Sequence, residues 1–202
     1  MNKFQIDAPD IYRLKIPFED LYTSVFLIAL ENSTVLMDCA TTSFDVDNFI
    51  IPALKDLGYD INSVDALVLT HRHTDHSGGL NRILEHAPNM RVITDVTPIN
   101  GEISIYPLHG HTRNCIGVFD SRSKTLISGD GIQGAGIGKY RCYTEDLSAY
   151  LKTLDRIKND TKIECILFSH AYEPWYKDSV HGRKNILSCL EDCKKYVDER
   201  KK

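Results

Sequence analysis

Short apolar runs separated by polar clusters dominate the first part of the chain. Residues 12–16, 23–30 and 35–40 read as strands, and the polar cluster at 31–34 turns between the second and third. An N-terminal antiparallel meander is therefore expected. The period then changes. Over residues 43–57, Phe49, Ile50, Leu54 and Leu57 fall on one helical face, Gly58 supplies a stop, and Pro52 kinks or restarts the helix.

Beyond this point strands and helices alternate. Residues 64–69 form a buried-type strand, and 79–86 a helix that buries Leu80, Ile83 and Leu84. Residues 90–95 and 103–108 are strands. Residues 115–119 and 124–128 make a hairpin through Asp120, Ser121 and Arg122. Residues 145–158 are an amphipathic helix with Leu147, Tyr150, Leu151, Leu154 and Ile157 inward and Thr144 as its N-cap. A strand at 163–168 and a helix at 182–200 complete the pattern. Strands joined by hairpins argue against a purely parallel sheet, and no repeat or low-complexity tract interrupts the chain. The expectation is one α+β domain over residues 1–202, a four-layer αββα sandwich.

The chemistry concentrates at residues 70–79, THRHTDHSGG, directly after the strand at 64–69. His71 and His73 are two apart, and in an extended segment residues two apart point the same way, so both imidazoles can meet one cation. Asp75 and His76 follow a bend and can face a second ion. Gly78 and Gly79 are read as a sharp turn into the next helix. Imidazole with carboxylate suits a divalent transition metal.

Composition narrows the partners. A net charge of -4 and a hydrophobic fraction of 42% fit a well-filled core and argue against a phosphate-binding surface. No nucleic-acid partner is expected. The N-terminus has no apolar core segment, and the run at residues 25–30 is too short to cross a bilayer, so a cytoplasmic location without membrane association is expected. The six cysteines include no C-x-x-C pair; Cys189 and Cys193 share a helical face and are read as core. Gly129, Gly131 and Gly134 match G-x-G-x-x-G, but Asp130 would oppose a pyrophosphate and no helix opens where one is needed. Residues 131–143 instead read either as a lid over a site or as a solvated loop. On the lid reading, Lys139, Tyr140, Arg141 and Tyr143 contact substrate, as does Tyr172.

The H-x-H-x-D-H string resembles the signature of the metallo-β-lactamase-fold hydrolase superfamily. The resemblance extends from about Tyr12 to His170 and implies a fold of that type. The turn Gly110-His111-Thr112 resembles the one that supplies a third histidine. His109 competes on geometry, but the flanking residues favour His111. Asp130, in Ser128-Gly129-Asp130, matches a bridging carboxylate, and His170 matches the last histidine. The resemblance thus implies one ion on His71, His73 and His111, a second on Asp75, His76 and His170, and Asp130 between them. Asp38, otherwise a cap for the following loop, matches an acid that supports the ligands from behind.

The implied cofactors are two divalent ions, zinc first, with iron or manganese as alternatives. The implied reaction is hydrolysis of a small-molecule ester, thioester or lactone by a metal-bridging hydroxide, with Asp75 or Asp130 taking the proton. Glyoxalase II-like thioesterases and lactonases look similar at all seven ligand positions. Glyoxalase II usually carries extra C-terminal helices for glutathione, and a single helix is expected after His170, which counts against that thioester. The alternatives on the same scaffold are a mononuclear iron oxidoreductase resembling persulfide dioxygenases, and a phosphodiesterase or nuclease.

Overall fold

A computed structural model describes residues 3–99, 101–134, 144–172 and 176–200. They divide into two compact units, Met1–Thr94 and Asp95–Lys202.

The first unit is a six-stranded sheet whose spatial order follows the sequence: β1 (Gln5–Ala8), β2 (Ile11–Phe18), β3 (Leu21–Leu30), β4 (Ser33–Met37), β5 (Ala66–Val68) and β6 (Arg91–Ile93). The expected meander is present: β1 to β4 pair antiparallel, with Leu14 opposite Val25 and Leu27 opposite Leu36. β5 and β6 then add in parallel. Alternation explains the packing. Leu14, Ile16, Val25, Leu27, Leu36 and Leu67 point to one face and pack with Ile50, Leu54 and Ile83. The alternate positions Ile11, Phe26, Ile28, Val35, Met37 and Val68 are buried as well. Arg13 also lies on that second face; its Nε donates to Asp7 Oδ2 at 2.5 Å and its guanidinium sits 5.0 Å from the Phe26 ring centroid. β1 escaped the sequence pattern because Gln5 and Ile6 are exposed and give no apolar alternation.

Residues 43–57 are helical but not uniform. α1 (Ser43–Asp45) passes into a wider π turn (Val46–Ile50) and then α2 (Ile51–Asp56). Thr42 caps the start, its hydroxyl accepting from the Asp45 N–H while Asp45 Oδ2 accepts from the Thr42 N–H. Pro52 stands at the start of α2. Its missing N–H and its ring clash with an ordinary turn, and the π turn immediately before it absorbs the conflict. Gly58 ends the run at φ +85°, with Tyr59 N–H bonded to Leu54 C=O. α3 (Thr74–Ser77) and α4 (Leu80–His86) follow β5.

The second unit is a five-stranded mixed sheet in the order β11 (Ser179–His181), β10 (Cys165–Leu167), β9 (Thr125–Ile127), β8 (Ile116–Asp120), β7 (Ile103–Pro107). Among the described residues of this unit β9 and β10 pair in parallel and the other neighbours antiparallel. α5 (Leu147–Asn159) and α6 (Arg183–Arg200) contribute Tyr150, Leu154, Ile157, Ile186 and Leu190 to a core shared with Leu108, Leu126, Ile166 and Phe168. Cys189 and Cys193 are in this core, as their spacing implies. The N-cap of α5 is Asp146, which accepts from Ala149 N–H, rather than Thr144; Thr144 is buried two residues upstream. At the other end of α5 the Arg183 guanidinium donates to the carbonyls of Ile157, Lys158 and Asp160 and satisfies the exposed end of the helix. Among the described residues no helix is long and apolar enough to cross a membrane.

Candidate functional site

In the first unit the chemistry hangs from the ends of β4 and β5. Asp38 follows β4 at φ +62°, a left-handed conformation that aspartate tolerates better than most residues. Its N–H donates to Val68 C=O, which ties it to β5. The carboxylate is buried and occupied on both oxygens. Oδ1 accepts the Thr70 N–H at 2.8 Å, the Thr70 hydroxyl lies 2.9 and 3.0 Å from the two oxygens, and His76 Nδ1 is 2.7 Å from Oδ2. A carboxylate on Nδ1 holds the imidazole proton there and leaves the Nε2 lone pair for another partner. His76 Nε2 faces Asp75 Oδ2 at 3.2 Å. The His71 ring lies 4.6 Å from that of His73 and 4.2 Å from that of His76, centroid to centroid. One short loop therefore gathers all four donors, with Asp38 behind them.

Gly78 and Gly79 form the expected turn into α4, but the reason glycine is needed there is not a special backbone angle. Both have ordinary helical φ values, −66° and −78°, that any residue adopts. What they require is space: a Cβ on Gly78 would lie 1.9 Å from the Thr41 carbonyl oxygen, and one on Gly79 2.1 Å from that of Cys39. The Cys39 N–H also donates to His76 C=O at 2.8 Å, so the 39–41 backbone lies flat against the metal-type loop. Burial, and next the charge of Asp38, push the Cys39 thiol well above its ordinary pKa, which keeps it a protonated filler.

In the second unit three separate loops deliver one donor each. His111 follows β7 in a turn where Gly110 has φ +136° and a Cβ would strike Tyr150 at 2.5 Å. Glu145 and Asp146 N–H groups donate to the His111 and Gly110 carbonyls and pin this turn to the start of α5. Asp130 follows β9, where Gly129 takes φ +54° and Ser128 N–H bonds Leu167 C=O on β10. His170 leaves the end of β10. All three are nearly fully buried. His111 Nε2 is 3.6 Å from Asp130 Oδ2, and His170 Nε2 is 3.3 Å from Asp130 Oδ1.

These separations test whether a metal fits. Charge-assisted N–H···O bonds run about 2.7–2.9 Å. Two ligands of one tetrahedral zinc, each about 2.1 Å from it, stand about 3.4 Å apart. The carboxylate offers one oxygen to each histidine at the second spacing, and the His76–Asp75 pair repeats it at 3.2 Å. The donor set fits a divalent ion better than it fits a network of direct hydrogen bonds. All seven expected ligands belong to groups of donor atoms that could hold a metal ion. His109 is in none of them among the described residues; its carbonyl accepts from the Thr153 hydroxyl. On the surface of α4, His86 Nε2 lies 3.0 Å from Asp47 Oδ1.

Of the expected substrate contacts, Lys139, Tyr140, Arg141 and Tyr143 lie outside the described residues. Tyr172 lies within them, its ring 5.5 Å from that of His170. Gln133, which no sequence signal singled out, is buried and donates from Nε2 to the Tyr172 hydroxyl at 3.2 Å.

The family model of the metallo-beta-lactamase superfamily matches residues 19–97, which include the whole histidine loop. The chain is 27% identical to the hydroxyacylglutathione hydrolase of Pectobacterium atrosepticum over 60% of its own length and 53% of that protein's. It is 28% identical to the one from Aeromonas hydrophila over 86% of its own length and 74% of that protein's. It therefore spans between about half and three quarters of these curated relatives. Among solved structures, a metallo-β-lactamase of Pseudomonas aeruginosa in its mono-zinc form superimposes with a TM-score of 0.74 at 15% identity, covering 97% of this chain and 96% of that one. A metallo-β-lactamase of Erythrobacter litoralis gives 0.71 at 19% identity over 95% and 96%. Those two likenesses bear on the fold, and they match the α+β class read from the strand and helix pattern. With the histidine loop and these relatives taken together, the chain is similar to the metallo-β-lactamase superfamily in sequence over residues 19–97, and to metallo-β-lactamases in fold.

Proposed function

We propose that the two units act as one domain, residues 1–202, and that their donor sets hold a pair of divalent cations, most simply zinc, for hydrolysis of a small acyl thioester. His71, His73 and His111 would hold one ion, Asp75, His76 and His170 the other, with Asp130 shared. The observation that carries this reading is the Asp130 carboxylate. It is buried and has one oxygen set toward His111 and the other toward His170, at spacings suited to common metal ligands. Bound there, the cations would supply Lewis acidity and lower the pKa of a water enough for hydroxide to be available near pH 7.

The chain's own residues supply the remainder. Asp38 keeps the His76 proton on Nδ1 and so keeps Nε2 available. Asp75 and Asp130 carry the carboxylate oxygens that can accept a proton from the attacking water and pass it to the leaving group. Tyr172, whose ring lies beside that of His170, would meet the substrate. The thioester class is taken from the relatives named hydroxyacylglutathione hydrolase. Esters and lactones are the neighbouring chemistries, and a cytoplasmic setting without a nucleic-acid partner goes with a small-molecule substrate.

The test combines metal analysis with a panel of chromogenic thioesters, esters, lactones and phosphodiesters on metal-replete protein. Two ions per chain and preference for thioesters are expected. A single iron with oxygen uptake on persulfides would replace this reading with the dioxygenase, and a phosphodiester preference would replace it with the nuclease branch.

A further inference from the structure

We propose that Gln133 is a positioning residue that fixes the Tyr172 phenol beside His170, and that α6 holds Gln133 in place for that task. The inference rests on the functional reading above for what Tyr172 meets, but the contact itself stands on geometry. Gln133 lies three residues beyond Asp130, past the end of β9, with its side chain buried. Its Nε2 donates to Tyr172 Oη, and the Tyr172 ring is tilted 47° against His170. Its backbone carbonyl accepts from both the Cys189 and Cys193 thiols, one turn apart on α6, at 3.8 and 3.6 Å. Sulfur hydrogen bonds of this length are weak singly, but two of them on one carbonyl restrict the residue from the helix side.

The side chain's other end explains why this position is informative. Gln133 Oε1 is buried and has no hydrogen-bond partner among the described residues. A buried amide satisfied at one end is less stable than an apolar side chain of equal volume, so the position is poorly explained as core filling. What the amide accomplishes is the Nε2 bond. That bond occupies a lone pair of the phenol oxygen and fixes where the O–H can point, as a hydroxyl that must orient a substrate requires. The chain of contacts runs α6 thiols, Gln133 backbone, Gln133 amide, Tyr172, His170.

Gln133→Met keeps the volume and removes the amide; Gln133→Glu keeps the reach but replaces the donor with an acceptor, which turns the phenol O–H toward residue 133. Each is made alone and with Tyr172→Phe in metal-replete full-length protein. Gln133→Met is expected to raise KM for the preferred thioester about tenfold with kcat within about twofold, Gln133→Glu to raise it at least as much because the O–H is then directed away from substrate, and metal content to stay constant; a wild-type KM in Gln133→Glu overturns the proposal. In the Tyr172→Phe background Gln133→Met should add less than about twofold. A separate readout needs no turnover. In protein labelled with 3-fluorotyrosine, the resonance that disappears in Tyr172→Phe should shift or broaden in Gln133→Met and shift in Gln133→Glu, where the phenol becomes the donor. An unchanged resonance, or KM effects that multiply in the double variant, overturns the proposal. If the wild type hydrolyses nothing on the panel, the functional reading fails while the fluorine signal still decides the Gln133–Tyr172 link. Should Gln133→Met not fold, Gln133→Glu and Tyr172→Phe carry the same comparison.

Discussion

The two units build their metal-type donors in opposite ways. In the first, His71, His73, Asp75 and His76 come from one loop after one strand, and a single buried carboxylate, Asp38, organises Thr70 and His76 behind them. In the second, His111, Asp130 and His170 follow three strands of one sheet, β9 and β10 paired directly and β7 joined to them through β8. The first is local and well supported. The second depends on long-range register, with Asp130 as the hub between two imidazoles. The difference teaches where each half is vulnerable: the first through its backbone packing, the second through one side chain.

The largest effect is expected at that hub. Asp130→Ala leaves His111 and His170 with no shared carboxylate, and turnover should fall at least about a thousandfold, roughly 4 kcal/mol of transition-state stabilisation. Metal stoichiometry measured on the same sample should fall with it. A variant that keeps most of its turnover would remove Asp130 from the centre and erase the contrast between the units.

Next comes the backbone of the first unit. Gly78→Ala places a methyl 1.9 Å from the Thr41 carbonyl, a contact with backbone that no rotamer can relieve. Thermal or urea unfolding should show a loss of about 3 kcal/mol or more, in the range of severe core strain. A near-neutral Gly78→Ala would mean that the 39–41 strand end yields easily, and that the local half is not the rigid one.

The smallest of the three effects belongs to Asp38. Asp38→Asn keeps a residue that tolerates φ +62° but gives up the charge facing His76 Nδ1. Metal affinity, measured by competition with a chelator, should weaken about 10–100-fold with the fold retained. An unchanged affinity would show that His76 needs no carboxylate behind it, and would make the two halves more alike than their geometry suggests.

The two halves also differ in how far they could be read. His71, His73, Asp75 and His76 were legible from spacing, because a strand-to-bend transition fixes where side chains two and four residues apart can meet. Asp38 was legible as an acid at a strand end, but its bond to His76 spans residues 38 apart in sequence, which no local period carries. His111, Asp130 and His170 were reached through family resemblance alone. Gly78 and Gly79 were legible as the turn into α4, but only the neighbouring carbonyls reveal that glycine is needed there for close approach. Pro52 was read correctly, since its effect on a helix is carried by its own covalent ring.

What the sequence determined by itself is what short-range physics controls: the meander, the amphipathic helices, the stop at Gly58 and the cluster of four donors in one loop. Tertiary structure alone decided which atoms face one another across strands: the two oxygens of Asp130 toward two different histidines, Gln133 against Tyr172, and Arg183 on the end of α5. The physical reason is that a residue's own neighbours set its backbone and its period. The partner of a buried polar group is set by the register and loop closure of strands far away in the chain, and those are known only once the whole fold has formed.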